Sequence, residues 1–521
     1  MSPADYAVLV AYLAGILAVG YRFRVRGGRD EDFFLAGRRM GWFPIGLSVM
    51  VTVFSAVNYV ALPNEVFGYG LYVVVALPVF LLAAWPITKV WMPFFHSMRL
   101  TSAYEYLDRR FDGRVRSLAS GIFILWRLFW MATALFASAR ILAALADVPG
   151  WAVILVGGLA ATVYTFLGGM RAVMWTDVCQ FFVLFGGIAL GVACAVGDAG
   201  VSEVVRIAHE GGRLRPFAPF DPAFLSLDPR LRMTLWSGLI GVFVAFLSRY
   251  GADQVVMQRY FSARDLRTAQ RGLWLNAAVS IVSLSLLAVL GLAVYAVAAG
   301  SGALPAGRWQ GLSSLQRTGV AMKQLAAVIR SFPAGVTGLV VAGLLAATMS
   351  SIDSGINACS AAYVTDFHKR FARGASSPGR AGLRLDKGLT LCFGVASTLL
   401  ALALIPLVGQ GNTLFMIVNK LINGLGSPLL ALILLGMFSR AVNAPGMFWG
   451  GLVGLGASLA VSLFVHPLAL QYYAALNLLV SVAPCLLFSC VARWRGHVPP
   501  EGAGRWTWAA WRKRAATARQ P

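Results

Sequence analysis

The sequence predicts an all-α polytopic membrane protein of about thirteen transmembrane helices, on three observations. First, of 521 residues 58% are hydrophobic and only 12% are charged, a composition that suits a bilayer and not a set of soluble domains. Second, apolar runs long enough to cross a bilayer, about 20 residues each, recur along the chain. They fall at roughly 4–22, 43–66, 71–95, 117–145, 151–167, 173–197, 234–258, 271–299, 334–365, 388–408, 412–438, 445–465 and 471–493. Third, the connections alternate in charge. Arg22, Arg24, Arg26, Arg29, Arg38 and Arg39 follow span one; Arg99, Arg109, Arg110, Arg114 and Arg116 follow span three. Arg259, Arg264, Arg267 and Arg271 follow span seven, and Lys369, Arg370, Arg373, Arg380, Arg384 and Lys387 follow span nine. Arg493, Arg495, Arg505, Arg512, Lys513, Arg514 and Arg519 lie in the tail. All are odd-numbered connections, so they share one side, which the positive-inside rule makes the cytoplasm. The N-terminus is then expected outside and the C-terminus inside a plasma membrane. The expected division is a membrane domain over 1–494 and a basic cytoplasmic tail over 495–521.

The same pattern bounds function. A net charge of +23 would suit nucleic acid, but the bases sit in alternate loops between apolar spans. Six cysteines, Cys179, Cys194, Cys359, Cys392, Cys485 and Cys490, all fall in apolar segments, and no CxxC occurs. Neither a disulfide framework nor a zinc site is indicated. The five histidines are scattered. No GxxxxGKS/T loop points to ATP hydrolysis, and no enzymatic constellation or organic cofactor is expected. Without a basic n-region, the first apolar run reads as a retained helix and not a signal peptide.

Taken in order, span one leads into Asp32-Phe33-Phe34-Leu35-Ala36-Gly37-Arg38-Arg39-Met40. Span two contains Asn58 and then Pro63-Asn64-Glu65, with Gly68 and Gly70 beyond. After span three, Thr101 or Ser102 with Glu105 is placed to cap a short interfacial helix. Spans five and six are joined at Gly168-Gly169-Met170-Arg171. Span seven carries Arg249-Tyr250-Gly251-Ala252-Asp253. Spans two and seven thus hold polar or helix-breaking residues at corresponding places. A break there frees backbone carbonyls for a cation or a solute; a plain kink at Pro63 is the alternative. In span nine, Ser350, Asp353, Ser354 and Asn357 repeat at i, i+3, i+4, i+7 and share a helix face. Small hydroxyl residues there would also serve helix packing. A mid-membrane carboxylate costs about 2.5–3.5 kcal/mol on insertion scales, so Asp353 points to function, and hydroxyl with carboxylate oxygens suit a small hard cation.

The phrases FFLAGRRM, TSAYEYL, GGMRAVMWTDVCQ, ADQVVMQRY and ATMSSIDSGIN, in that order, make the chain resemble the sodium:solute symporter family, from about residue 5 to 490. The resemblance implies a leucine-transporter-type fold. Five helices repeat in inverted topology, here about 43–197 and 234–438, with one helix before and two after. It implies sodium as coupling ion, held by the carbonyls of Val51, Phe54 and Ala347 and the hydroxyls of Ser350 and Ser351. It places Asp177 near the sodium pathway; a helix-start residue favouring the dipole is the plainer reading of that aspartate. With Asp353 and Ser354 it forms a possible second cation site, in which Asp353 stands where some members have a hydroxyl. Second-cation ligand, proton carrier and partner of a buried base all stay open for Asp353.

For the solute, the candidates are Asn58, Arg127, Arg249, Asp253 and Lys420. The second-helix position at which sugar-transporting members carry a glutamate falls in apolar Val75-Ala76-Leu77-Pro78, and their lysine position falls near Ser280. Three cations (Arg127, Arg249, Lys420) face two acids (Asp253, Asp353), and buried bases need a partner or an anion. Arg clamps carboxylates through parallel hydrogen bonds, so a carboxylate-bearing solute is expected. Internal pairing, for instance Arg249 with Asp253, is the alternative and would suit a neutral sugar or amino acid. The partners expected are thus a small solute, sodium and lipid. A transporter-like membrane sensor is a different class, disfavoured by the short basic tail. An ion channel is disfavoured because polar groups cluster at broken helices.

Overall fold

The computed structural model describes residues 1–25, 30–146, 148–214, 222–231, 233–304, 312, 314–371, 380–408, 413–465, 468–497 and 503–517. Among these, nine helices are long and apolar enough to cross a membrane, and two bent pairs raise the number to eleven. The 50-residue helix Gly150–Ala199 accounts for two of the expected spans. Straight, it would run about 75 Å, far beyond a bilayer. Instead Gln180 Nε2 donates to the hydroxyl of Tyr164, sixteen residues earlier, at 3.3 Å; along a straight helix those residues would lie about 24 Å apart. The reversal is at Gly169, with φ 56° and ψ −152°, a conformation that only glycine adopts without strain. Thr413–Phe438 supplies span eleven.

The two broken helices lie where the polar and breaker residues stand. Span two is Trp42–Val53 and Ala56–Tyr69, bent by 64°, and span seven is Ser237–Gly251 and Gln254–Phe261, bent by 51°. Asp253 caps the second half of span seven by accepting from Val255 N at 3.0 Å, which satisfies one orphan donor of the new helix start. Pro63 lies within Ala56–Tyr69 and is not where span two breaks; the chain breaks at Phe54-Ser55.

Span nine, Val336–Tyr363, is buried along nearly its whole length. It packs on the span five–six hairpin, span four and span one, while span eight packs on both halves of span two. At one such crossing, a Cβ on Gly46 would come within 2.7 Å of Gly272 O, so the missing side chains set the approach. Span one begins with Ser2 and Asp5 capping each other, and Asp5 Oδ1 also accepts from Gly335 N and Gly338 N, each at 2.8 Å. Nothing in the sequence singled out that tie.

After span three, Glu105 Oε1 accepts from Thr101 N and Ser102 N, both at 2.8 Å, ahead of the short helix Glu105–Arg110. Ser102 Oγ in turn accepts from Tyr104 N at 3.2 Å, so the glutamate and a serine both serve the helix start. The tail segment Trp508–Thr517 packs Trp508 and Trp511 against Phe94, and Trp511 Nε1 donates to Ser97 Oγ at 2.9 Å.

Candidate functional site

The break in span two exposes the last-turn carbonyls of Trp42–Val53, which no longer find helical amides. Span nine meets them with hydroxyls. Ser350 Oγ lies 3.1 Å from Val51 O and 3.1 Å from Ala347 O, two carbonyls that share its one hydroxyl proton. Ser351 Oγ lies 3.4 Å from Thr52 O and 3.1 Å from Ala347 O. Val51, Ala347, Ser350 and Ser351 therefore converge, all of them buried. Phe54, one turn on, is buried at the break and also lines a cavity beyond it. Neutral carbonyl and hydroxyl oxygens of this kind suit a monovalent hard cation, which brings its own charge.

A second buried cluster lies one turn along span nine and brings Asp177, Asp353 and Ser354 together around a residue expected elsewhere. Arg259, counted among the loop bases, is fully buried in the helix Gln254–Phe261. Its Nη2 contacts Asp177 Oδ2 at 3.0 Å, Thr52 Oγ1 at 2.6 Å and Ser354 Oγ at 2.5 Å. Its Nε donates to Ser48 Oγ at 2.6 Å. Ser48 in turn donates to Asp177 Oδ2 at 2.5 Å. Asp353 accepts from Ser354 Oγ at 2.9 Å and from Tyr164 OH at 2.5 Å. Asp177 Oδ1 is buried without a hydrogen-bond partner among the described residues. Arg259 thus pairs with Asp177, while Asp353 is met by the hydroxyls of Ser354 and Tyr164 and has no ion pair among the described residues. Ser48, Thr52, Tyr164, Gln180 and Arg259 were not foreseen as site residues. Ser48 and Thr52 stand four apart on one face of span two, a signal that their small size conceals.

The substrate candidates divide. Arg127, on span four, forms an ion pair with Asp253, its Nε lying 3.3 Å from Asp253 Oδ1. The expected alternative of Arg249 pairing with Asp253 is therefore corrected: the partner is Arg127, because the bend turns the cap carboxylate towards span four. Arg249 has no ion pair or hydrogen bond among the described residues; its guanidinium lies over the Trp130 ring, 5.6 Å from the centroid. With Asn58 and Ser280 it lines a cavity of about 290 Å³ that begins at Met50 and Phe54. Glu65 and the apolar Ala76, Leu77 and Phe80 complete that wall. The Lys420 side chain lies outside the described residues.

A family model for the sodium:solute symporter family matches residues 33–454. The chain is 33% identical to the human sodium/iodide cotransporter over 94% of its length and 73% of the relative's. It is 30% identical to the sodium/sialic acid symporter NanT of Aliivibrio fischeri, covering 89% of this chain and 87% of that one. It is also 30% identical to human sodium-coupled monocarboxylate transporter 1, over 88% and 73%. The chain belongs to the sodium:solute symporter family. Its fold matches the solved substrate-bound outward-open state of a Na+-coupled sialic acid symporter, with a TM-score of 0.82, 26% identity and coverage of 96% and 99%. As a member, it is a sodium-coupled solute symporter, a multi-pass membrane transporter with the leucine-transporter-type arrangement of two inverted five-helix repeats.

Proposed function

We propose that this symporter imports a small carboxylate-bearing solute, with Arg249 as the group that receives the carboxylate. One observation carries the reading. Arg249 is the guanidinium in the wall of the cavity next to the span-two break, and it has no ion pair among the described residues. Burying an uncompensated base is costly, and a carboxylate accepting parallel hydrogen bonds would compensate it. Asn58 and Ser280 would then hold the neutral part of the solute, with Lys420 a further base on the tenth core helix. The relatives' names agree in charge: iodide, a sialic acid and a monocarboxylate.

Sodium binds at the carbonyls of Val51, Phe54 and Ala347 and the hydroxyls of Ser350 and Ser351. It bridges a broken, movable helix and the buried span nine, and so assembles the solute site. A second cation at Asp177, Asp353 and Ser354 is supported by the unpartnered Asp177 Oδ1 and by Asp353, whose partners among the described residues are hydroxyls and not a base. The repeats take about 43–197 and 234–438, the tail begins near 495, and the arginine-rich side faces the cytoplasm of a plasma membrane.

The test is a thermal-shift screen of purified protein in sodium buffer against carboxylates, sugars and neutral amino acids, with Arg249→Gln alongside. Carboxylates should stabilise the wild type and lose roughly ten- to hundred-fold in affinity with the variant, the range for a hydrogen-bonded charge. Stabilisation by neutral sugars or amino acids alone would instead favour the second reading. The Arg127–Asp253 pair supports that reading by removing one base from the cavity.

A further inference from the structure

A second cavity of about 470 Å³, sharing no lining residue with the first, lies at the arginine-rich ends of the spans. Its walls are the end of span one (Phe23, Arg24), the entry to span two (Asp32, Arg39) and the turn of the span five–six hairpin (Arg171, Trp175). Three guanidinium groups therefore face one space, with a single carboxylate in the same wall. Arg39 and Arg171 make no hydrogen bond or ion pair among the described residues. Arg171 sits over the Phe23 ring at 5.2 Å, and Phe23 stacks on Trp175 with centroids 5.7 Å apart. Those rings hold one wall of the basic space in place. Arg24 donates to Tyr21 O at 3.1 Å, which leaves most of its donors unused.

Like charges converging on a cavity repel unless an anion joins them, and forked guanidinium donors match phosphate oxygens. The cavity also stands at the membrane boundary. Exposed aromatics flank it, Tyr21 at 57%, Trp42 at 42% and Phe43 at 39%, the residue types that settle at headgroup level. A free phosphate would need no such belt, whereas an acyl chain leaving the cavity would run along it. We propose that this cavity binds the phosphate headgroup of an anionic phospholipid from the leaflet on the arginine-rich side. Basic pockets between transmembrane helices bind such headgroups. The bound phosphate joins Arg39, at the entry to a broken helix, to Arg171 on the hairpin that packs against span nine, and so steadies one against the other.

Native mass spectrometry of the detergent-purified full chain tests this, with phosphatidylglycerol, phosphatidylcholine and inorganic phosphate as probes. Wild type should retain phosphatidylglycerol over phosphatidylcholine. The double variant Arg39→Gln/Arg171→Gln should lose about twenty-five-fold in that affinity, some five-fold for each surface base. Arg114→Gln/Arg495→Gln, which removes the same charge elsewhere, should leave it unchanged. Equal losses in both double variants would overturn the site, as would equal retention of the two lipids by wild type. Inorganic phosphate binding lost with Arg39 and Arg171, without selective lipid retention, would overturn the lipid as the source. Should the glutamine pair fail to fold, Arg39→Lys/Arg171→Lys keeps the charge and removes the fork. Several-fold weaker lipid retention is then expected, and unchanged retention overturns the proposal.

Discussion

Ser350 and Ser351 each bring a hydroxyl within 3.1 Å of Ala347 O and also reach carbonyls of the opposing broken helix. Replacing both by alanine removes two oxygens from the proposed sodium shell while changing little volume. Sodium-stimulated uptake into proteoliposomes should be abolished in Ser350→Ala/Ser351→Ala, with the protein still folded; unchanged uptake would remove the assignment. Asp253 has a different duty, as helix cap and as the ion-pair partner of Arg127. Asp253→Asn strands a buried guanidinium and should cost about 3–5 kcal/mol of stability, read as a fall in unfolding midpoint. Arg127→Gln added to it should recover part of the loss, since the charge that needed compensation is gone. Ser350 was legible in the sequence because it shares a polar face of an apolar helix with Asp353, Ser354 and Asn357, whereas Ser351 was singled out by the motif that carries the family resemblance. The pairing of Arg127 was not legible, because 126 residues separate it from Asp253 and only the bend of span seven aims the carboxylate.

At the scale of elements, the breaks decide what the helices can do. Interrupting span two at Phe54-Ser55 and span seven at Ala252-Asp253 frees carbonyls and supplies a cap in the middle of the membrane. Polar residues marked both segments in the sequence, yet Pro63, the most conspicuous breaker, lies inside an intact helix. Ala56–Tyr69 keeps Pro63 at its eighth residue, so the local signal misplaced the break by about two turns. The hairpin at Gly169 is a stricter case. Its φ of 56° and the nearness of Phe33 O and ring atoms leave no room for a Cβ. Gly169→Ala should lower stability by about 1–3 kcal/mol from backbone strain alone. Gly197→Ala, where a Cβ meets nothing within 4 Å, should be neutral or slightly stabilising in the same thermal assay.

For the whole molecule, the charges that cross the membrane set the driving force, about 2.3 kcal/mol per elementary charge per 100 mV. A monocarboxylate carried with one sodium moves no net charge; with two it moves one. Uptake of the carboxylate found in the screen should therefore rise with an inside-negative potential if the second site takes a cation. It should be insensitive to potential if Arg259 alone serves that cluster, as read from potassium-diffusion potentials in proteoliposomes. The sequence by itself determined the all-α polytopic fold, the order of the apolar spans and the family. Those follow from local hydropathy, helical periodicity and contiguous motifs, which a chain carries without folding. Tertiary structure alone decided which charges meet. Arg259 reads as a loop base next to three other arginines, but the turn after Asp253 carries it inward to Asp177 and Ser354, 82 and 95 residues away. Buried charges find their partners through packing in three dimensions, and a low-dielectric interior makes that choice of partner matter far more than sequence distance.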